Sequence, residues 1–353
     1  SKLDYFKSKV LQMFSDHTKP GFVLGRKFVL AKPEEDAAFK EYWQSLLWFS
    51  YRSDFPPIEP TTCTSDVGWG CTLRTAQMLL ANAFLHHFIG HDWITKASLP
   101  SILEHRLKIV KWFSDTSTSP YSIHAIALGG VRYNKQVGDW HGPSTVSHVI
   151  RDLVESHCPD NNSIGIYISS DGVVYRDKLF QAPHRAQIIL IPLRLGIHVF
   201  NKAYIPSMQM LFSIPQFLGI IGGRPSSSYF FIGHHEDNLF YLDPHTNQSY
   251  VDFTPASPED LVKDSVKSSM MALLETYQPT SVGRMPMAQI DPSLTLGFFC
   301  HDPQDFALLQ DSVLTLLPHS RELPAIFTFA DVTPNYEEAG SSSDIISFTE
   351  DDF

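Results

Sequence analysis

From Leu73 to Phe88 the apolar residues Leu73, Ala76, Leu80, Ala81, Phe84 and Phe88 recur at three- and four-residue intervals. That spacing predicts one helix with a buried face, and Gly90 stops the pattern where a helix ordinarily ends. Ahead of it runs Asp66-Val67-Gly68-Trp69-Gly70-Cys71, so Cys71 falls at the helix N-terminus behind two glycines that permit a tight entry. Unpaired N–H groups and the helix dipole favour an anion there and push a thiol toward thiolate. A free cysteine is more often a buried packing residue. Glycine, an aromatic and glycine ahead of a helix-opening cysteine favour a nucleophile instead.

The rest of the chain is read around that helix. Val23–Phe28 reads as a strand, and Phe39–Tyr51 has helical spacing until Pro56, Pro57 and Pro60 end it. A helix-leaning region runs to Phe113, followed by a Ser/Thr-rich loop. Gly138-Asp139-Trp140-His141-Gly142-Pro143 forms a turn opening a helix that carries Val146, Val149, Ile150 and Val154. Asp171-Gly172 between two short apolar runs predicts a hairpin. Gln187–Leu195 is a continuous apolar run of strand length, and 219–223, 229–233 and 239–243 are further strands. Tyr204–Phe212, residues 258–276 and Phe306–Leu317 read as helices, and Ile326–Phe329 as a last strand. Helices early, strands later and helices around them make the fold class α+β.

Composition bounds the function. Residues 331–353 hold seven acids and no Lys or Arg, and without those seven the net charge of −11 falls to −4. This segment reads as an acidic flexible tail. No basic stripe is available to neutralise phosphates, so no nucleic acid is expected as a partner. No apolar run of membrane-spanning length occurs. The four cysteines, Cys63, Cys71, Cys158 and Cys300, form no C-x-x-C pair and suit a reducing compartment.

Asp243-Pro244-His245 is the second signal. Residues two apart on a strand share a face, so this carboxylate can hold the imidazole tautomer while the other ring nitrogen takes a thiol proton. Together with Cys71 this makes a nucleophile, a base and its orienter.

Gly68-Trp69-Gly70-Cys71-Thr72-Leu73-Arg74 and Asp243-Pro244-His245 resemble the autophagin family, cysteine peptidases of the ubiquitin-like modifier of autophagy. Trp48–Arg52, Gly138–Pro143, Ile191–Gly196, Gly219–Pro225, Tyr229–Gly233 and Asp291–Cys300 match it as well, so the resemblance covers about residues 20–330. It implies a papain-like peptidase domain over residues 1–330, with a small additional helical subdomain roughly within 92–157, and no cofactor or metal. It implies Cys71 as nucleophile, His245 as general base and Asp243 as its orienter. Tyr51 would add its hydroxyl to the oxyanion hole, Arg194 would contact the modifier's tail, and Trp140 with Pro225 would gate the groove, Pro225 following a flexible Gly222-Gly223 pair. The expected reaction is cleavage after the modifier's C-terminal glycine. This would prime the precursor for lipidation or free it from phosphatidylethanolamine, in the cytoplasm, with transient contact with autophagic membranes through the conjugate. The sequence is closer to the larger animal members. Thr75 stands where some members carry a second cysteine, and residues near 256–276 read as an added helix.

Four other readings compete with this one. Peptidases of the ubiquitin-fold modifier share the Gly-Trp-Gly-Cys entry, but Thr72-Leu73-Arg74 and Gly297-Phe298-Phe299-Cys300 favour autophagin. A modifier-binding module without cleavage would not need Cys71, Asp243 and His245 together. A zinc site at His87, His91 and Asp92 lacks a third ligand motif, and Gly90 interrupts its helix. Gly222-Gly223 lacks the G-K-[ST] of a phosphate loop.

Overall fold

The computed structural model describes residues 20–29, 36–91, 100–157, 163–181, 186–252, 272–317 and 325–334. Its strands are β1 (Gly21–Val23), β2 (Arg26–Phe28), β3 (Arg52–Ser53), β4 (Ile164–Ile168), β5 (Val173–Tyr175), β6 (Ala186–Arg194), β7 (Phe217–Arg224), β8 (Ser227–His235), β9 (Asn238–Leu242), β10 (Gln248–Ser249), β11 (Gly283–Pro286), β12 (Ser293–Cys300) and β13 (Thr328–Ala330). The main sheet runs β11-β9-β8-β7-β12-β6-β4, with the β1–β2 hairpin attached to β8. Only β4 and β6 are parallel in it. The fold is α+β, as expected.

Both faces of this sheet are buried, which explains the unbroken apolar run of β6. Ile188 and Leu190 join the core on one face, and Ile189 and Ile191 the core on the other. The first face is covered by α2 (Cys71–Ile89) and α5 (Pro143–His157). The opposite face is covered by α6 (Ile205–Leu211) and α7 (Pro303–Leu316), through Met208, Leu211, Phe306 and Leu309. Helices α3 (Pro100–Trp112) and α4 (Ile123–Gly129) pack against α2. Side chains of α3, α4 and α5 belong to the same apolar core as α2 and the strands. A further short helix, α1 (Ala37–Gln44), buries Phe39, Tyr42 and Trp43.

The spacing of α2 predicts one buried face, yet every residue from Cys71 to His86 is buried. The helices on its far side cover what would otherwise face water, and two of its polar residues bond on opposite sides, one toward those helices and one to the sheet. Gln77 Nε2 donates to the Tyr121 carbonyl at 2.8 Å and Asn82 Nδ2 to the Leu218 carbonyl at 3.3 Å. Helix and sheet meet closely because β12 presents Gly297, where an added Cβ would lie 2.7 Å from Leu79 Cδ1.

Three local expectations give way to tertiary pairing. Val23–Phe28 is a hairpin rather than one strand, turning at Leu24 (φ 45°) and Gly25 (φ 82°). An added Cβ at Gly25 would lie 2.7 Å from Pro215 Cα, so the turn is held against the chain beneath it. The helix predicted over Phe39–Tyr51 ends at Gln44, and Arg52–Ser53 pairs in parallel with β10. Asp171-Gly172 does turn the chain, but β4 pairs with β6 and β5 with β13, so no hairpin forms. Most of the added helix near 256–276, most of the 331–353 tail and Cys158 lie outside the described residues.

The Gly297–Leu79 contact gives a stability prediction. Replacing a strand glycine ordinarily gains ~0.5–1 kcal/mol of backbone entropy. Overpacking a buried contact costs ~1–3 kcal/mol. Gly297→Ala should therefore lower the melting temperature; an unchanged or raised value by calorimetry would show that Leu79 yields without cost.

Candidate active site

The loop that delivers Cys71 is anchored by a buried ion cluster. Arg74, one turn into α2, donates from Nε to Asp66 Oδ2 and from Nη1 to Asp115 Oδ1, both at 2.8 Å, with all three side chains buried. Asp66 Oδ1 also accepts the Arg52 N–H at 2.7 Å, and the Asp66 carbonyl accepts the N–H groups of Trp69 and Gly70. Gly70 packs so closely on the Asp66 side chain that a Cβ there would collide with it. Gly68 takes φ 89°, a conformation suited to glycine. The two glycines thus fold the loop onto Asp66, and Cys71 opens α2 with Gly70 as an N-cap that supplies no side-chain bond.

His245 arrives from the other side. Asp243 and His245 lie just past the end of β9, so their pairing is a local turn rather than strand alternation: Asp243 Oδ1 accepts the His245 backbone N–H at 2.9 Å and lies 2.6 Å from Nδ1. The buried Trp48 indole donates to the Asp243 carbonyl at 2.8 Å, and the Tyr51 N–H to the Pro244 carbonyl at 2.8 Å. The same short segment therefore touches both halves of the site, because Arg52 holds Asp66 while Tyr51 holds Pro244. The imidazole edge is flanked by the rings of Tyr51 (5.4 Å) and Tyr229 (5.5 Å).

These positions bring Cys71, His245, Asp243 and Tyr51 together. Burial alone would push the Cys71 thiol up, but hydrogen bonds from His245, the Ser228 backbone N–H and Tyr51, with the His245 charge, hold it below the ordinary thiol range. His245 is raised to about 9, first by its bond to Asp243, then by Cys71. Burial would raise the Asp243 carboxyl, but the His245 hydrogen bonds hold it low. Burial and then the neighbouring Cys71 raise the Tyr51 phenol, so its hydroxyl keeps its proton and can donate. A thiolate beside an imidazolium, next to a free helix N-terminus and a phenol donor, is equipped to attack a carbonyl and hold the resulting oxyanion.

Trp140 is 47% exposed, which argues against a purely core role. It lines a narrow cleft of about 40 Å³ with Pro143, Gly222, Gly223, Ser228 and Ser293, among others. The cleft adjoins Cys71 through Ser228. Pro225 is exposed in the two-residue turn between β7 and β8, where Ser226 takes φ 63°. Gly222 and Gly223, expected to be a flexible pair, are buried rungs of β7; a Cβ on Gly223 would collide with the Ser227 carbonyl. Arg194 ends β6 opposite Ser293 of the cleft, and its guanidinium donates to the carbonyls of Gly196 and Ile197. Trp48, Tyr229, Ser228 and the Arg74–Asp115 pair were not singled out as individual site residues in the sequence. Trp48, Arg74 and Tyr229 do fall in stretches that match the family, and Ser228 and Asp115 do not.

Among the described residues no three His, Cys, Asp or Glu side chains are grouped to hold a metal ion. His91 lies 3.7 Å from Asp305, and Asp92 is outside the described residues. Nor is any described helix long and apolar enough to cross a membrane.

The family model of the peptidase C54 catalytic domain matches residues 36–312. Cysteine protease ATG4D of Xenopus laevis is 30% identical, across 97% of this chain and 85% of that protein. Cysteine protease ATG4C of Homo sapiens is 32% identical, across 83% and 75% respectively. Cysteine protease ATG4B of Xenopus laevis is 35% identical, across 96% and 89%.

The electrostatics give a direct test. Nuclear magnetic resonance of the His245 imidazole should show an imidazolium at neutral pH that titrates near about 9. Asp243→Asn removes the largest cause of that rise and should move the midpoint down by at least one pH unit. A wild-type midpoint near the ordinary histidine value would contradict the geometry.

Proposed function

Because the chain belongs to the peptidase C54 family and is a cysteine peptidase, we propose that Cys71 is its nucleophile and that it cleaves after the C-terminal glycine of the autophagy ubiquitin-like modifier. The observation that carries this reading is the Cys71–His245 contact at the helix N-terminus, with Asp243 behind the imidazole. The thiolate attacks the glycine carbonyl, and the Cys71 N–H and Tyr51 hydroxyl receive the developing oxyanion. The imidazolium of His245 gives its proton to the departing amine, leaving a thioester between Cys71 and the glycine. Water, deprotonated by His245, then releases the modifier.

The same steps serve both substrates, because priming and delipidation break the same kind of bond. In the precursor the leaving amine belongs to the next residue, and in the conjugate to phosphatidylethanolamine. The enzyme meets membranes transiently, through the conjugate. The three described cysteines are free, which supports a reducing, cytoplasmic setting.

Glycine offers no side chain to hold, so selection works by excluding anything larger. Trp140 is the roof of that slot, Gly222 and Gly223 line its floor, and the Pro225 turn closes the end. Arg194, at the rim, contacts the modifier's tail.

Two measurements test this. Incubated with a modifier precursor, the protein should yield a product ending in glycine by mass spectrometry, and Cys71→Ala should yield none while still binding precursor. Substantial turnover by that variant would remove Cys71 from its role. Trp140→Ala should cut Gly-ending precursors less efficiently yet accept Ala at the cleavage position relatively better, since overpacking of the slot (~1–3 kcal/mol) is relieved. An unchanged Gly-to-Ala ratio of kcat/KM in the folded variant would assign Trp140 to packing alone.

A further inference from the structure

Behind the Cys71–His245 contact sit two buried hydroxyls that the reaction above does not use. Thr75, one turn into α2, is fully buried, and its Oγ1 lies 2.8 Å from the Thr72 carbonyl and 3.1 Å from Ser228 Oγ. Ser228 Oγ in turn lies 3.1 Å from the Gly222 carbonyl. Two protons thus serve three contacts. One hydroxyl donates across the pair while the other donates to a carbonyl.

Ser228 stands where the sheet runs out. The last rung between β8 and β9 is Phe230 with Leu242, after which the chain turns away through Asp243-Pro244-His245. Ser228, two residues beyond that rung, has no β9 neighbour, and its N–H donates to the Cys71 sulfur instead. Its remaining sheet neighbour is β7, which there consists of Gly222 and Gly223 followed by an exposed turn. A strand end paired on one side only, against glycines, has little of its own to hold its N–H on a target.

We propose that the Thr75–Ser228 hydroxyl pair is a positioning device, clamping β8 to α2 so that the Ser228 N–H stays on the Cys71 sulfur as a third donor beside His245 and Tyr51. The pair also ties the cleft wall under Trp140 to the nucleophile's helix, because Ser228 lines both. This rests on the reading of Cys71 as nucleophile. Thr75 touches no reacting atom and acts through Ser228.

The test is the pH dependence of Cys71 alkylation by iodoacetamide, located by mass spectrometry, in wild type, Thr75→Val, Thr75→Ser, Ser228→Ala and the Thr75→Val/Ser228→Ala double variant. A hydrogen bond to the charged form lowers an acid's pKa, so loosening it moves the midpoint up. Thr75→Val and Ser228→Ala should each raise the midpoint by roughly 0.5–1 pH unit. Thr75→Ser should keep the wild-type value, and the double variant should shift no further than either single one, because the contact that clamps β8 to α2 is the one both variants share. A wild-type midpoint in a folded Thr75→Val or Ser228→Ala protein overturns the proposal, as does a shift in Thr75→Ser equal to that in Thr75→Val, or additive shifts in the double variant. If Thr75→Val does not fold, Ser228→Ala decides alone. Should wild-type Cys71 react no faster than Cys63, the nucleophile reading fails and this proposal with it. A reactive wild type with unshifted variants overturns the clamp only.

Discussion

Everything at the site hangs on the buried Arg74 and its two carboxylates. Desolvating a guanidinium is costly, and burial alone would lower its pKa; Asp115 and Asp66 reverse this and keep it charged. Removing one partner from such a cluster typically costs ~3–5 kcal/mol, because a charge is left buried without compensation. The cluster's structural consequence is geometric. Asp66 is bonded at once to α2 through Arg74, to residue 52 through its N–H, and to Trp69 and Gly70 through its carbonyl. Asp115, beyond α3, fixes the other side of the guanidinium. The turn that presents Cys71 can therefore adopt few other shapes.

Residues 48–53 transmit that constraint across the molecule. This stretch is bonded to the Cys71 loop at Arg52 and to the His245 turn at Trp48 and Tyr51. The Arg52 side chain reaches further, donating to the carbonyls of Ser249 and Thr276 at 2.9 Å and stacking over Tyr277. A helix start and a strand end, remote in sequence, are thus held at contact distance by one short strut. The sulfur and imidazole then set each other's charge: each lies closer to its ionised form because the other does.

The cleft follows the same economy of parts. Gly222 and Gly223 are not a hinge but buried rungs of β7, and Gly223 is a close-approach position that lets Ser227 and Ser228 lie against it. What closes the far side is the exposed Trp140 ring, carried on the turn that begins with Gly138 at φ 96°. Rigid strands on one side and an exposed aromatic on the other give a narrow slot without a large pocket.

The long helix, β6 to β9 of the sheet and the α+β class were legible in the sequence, because helix period and apolar strand runs are local signals, whereas β11 and the central β12 were not read as strands. Cys71, Asp243 and His245 were legible too, since the glycines and the Asp-Pro-His turn are local chemistry. What the sequence did not determine is which strands pair. Asp171-Gly172 carries a hairpin signal, yet β5 joins β13 and β4 joins β6, because pairing depends on partners more than a dozen residues away. Nor does spacing show that α2 is buried all round, for that depends on α3, α4 and α5 arriving on its outer side. The contact of Ser228 with Cys71, the ring of Tyr229 on His245 and the Arg74–Asp115 pair belong to the same class. Each joins a residue of a conspicuous motif to one that no local pattern marks, and only the tertiary packing brings the two together.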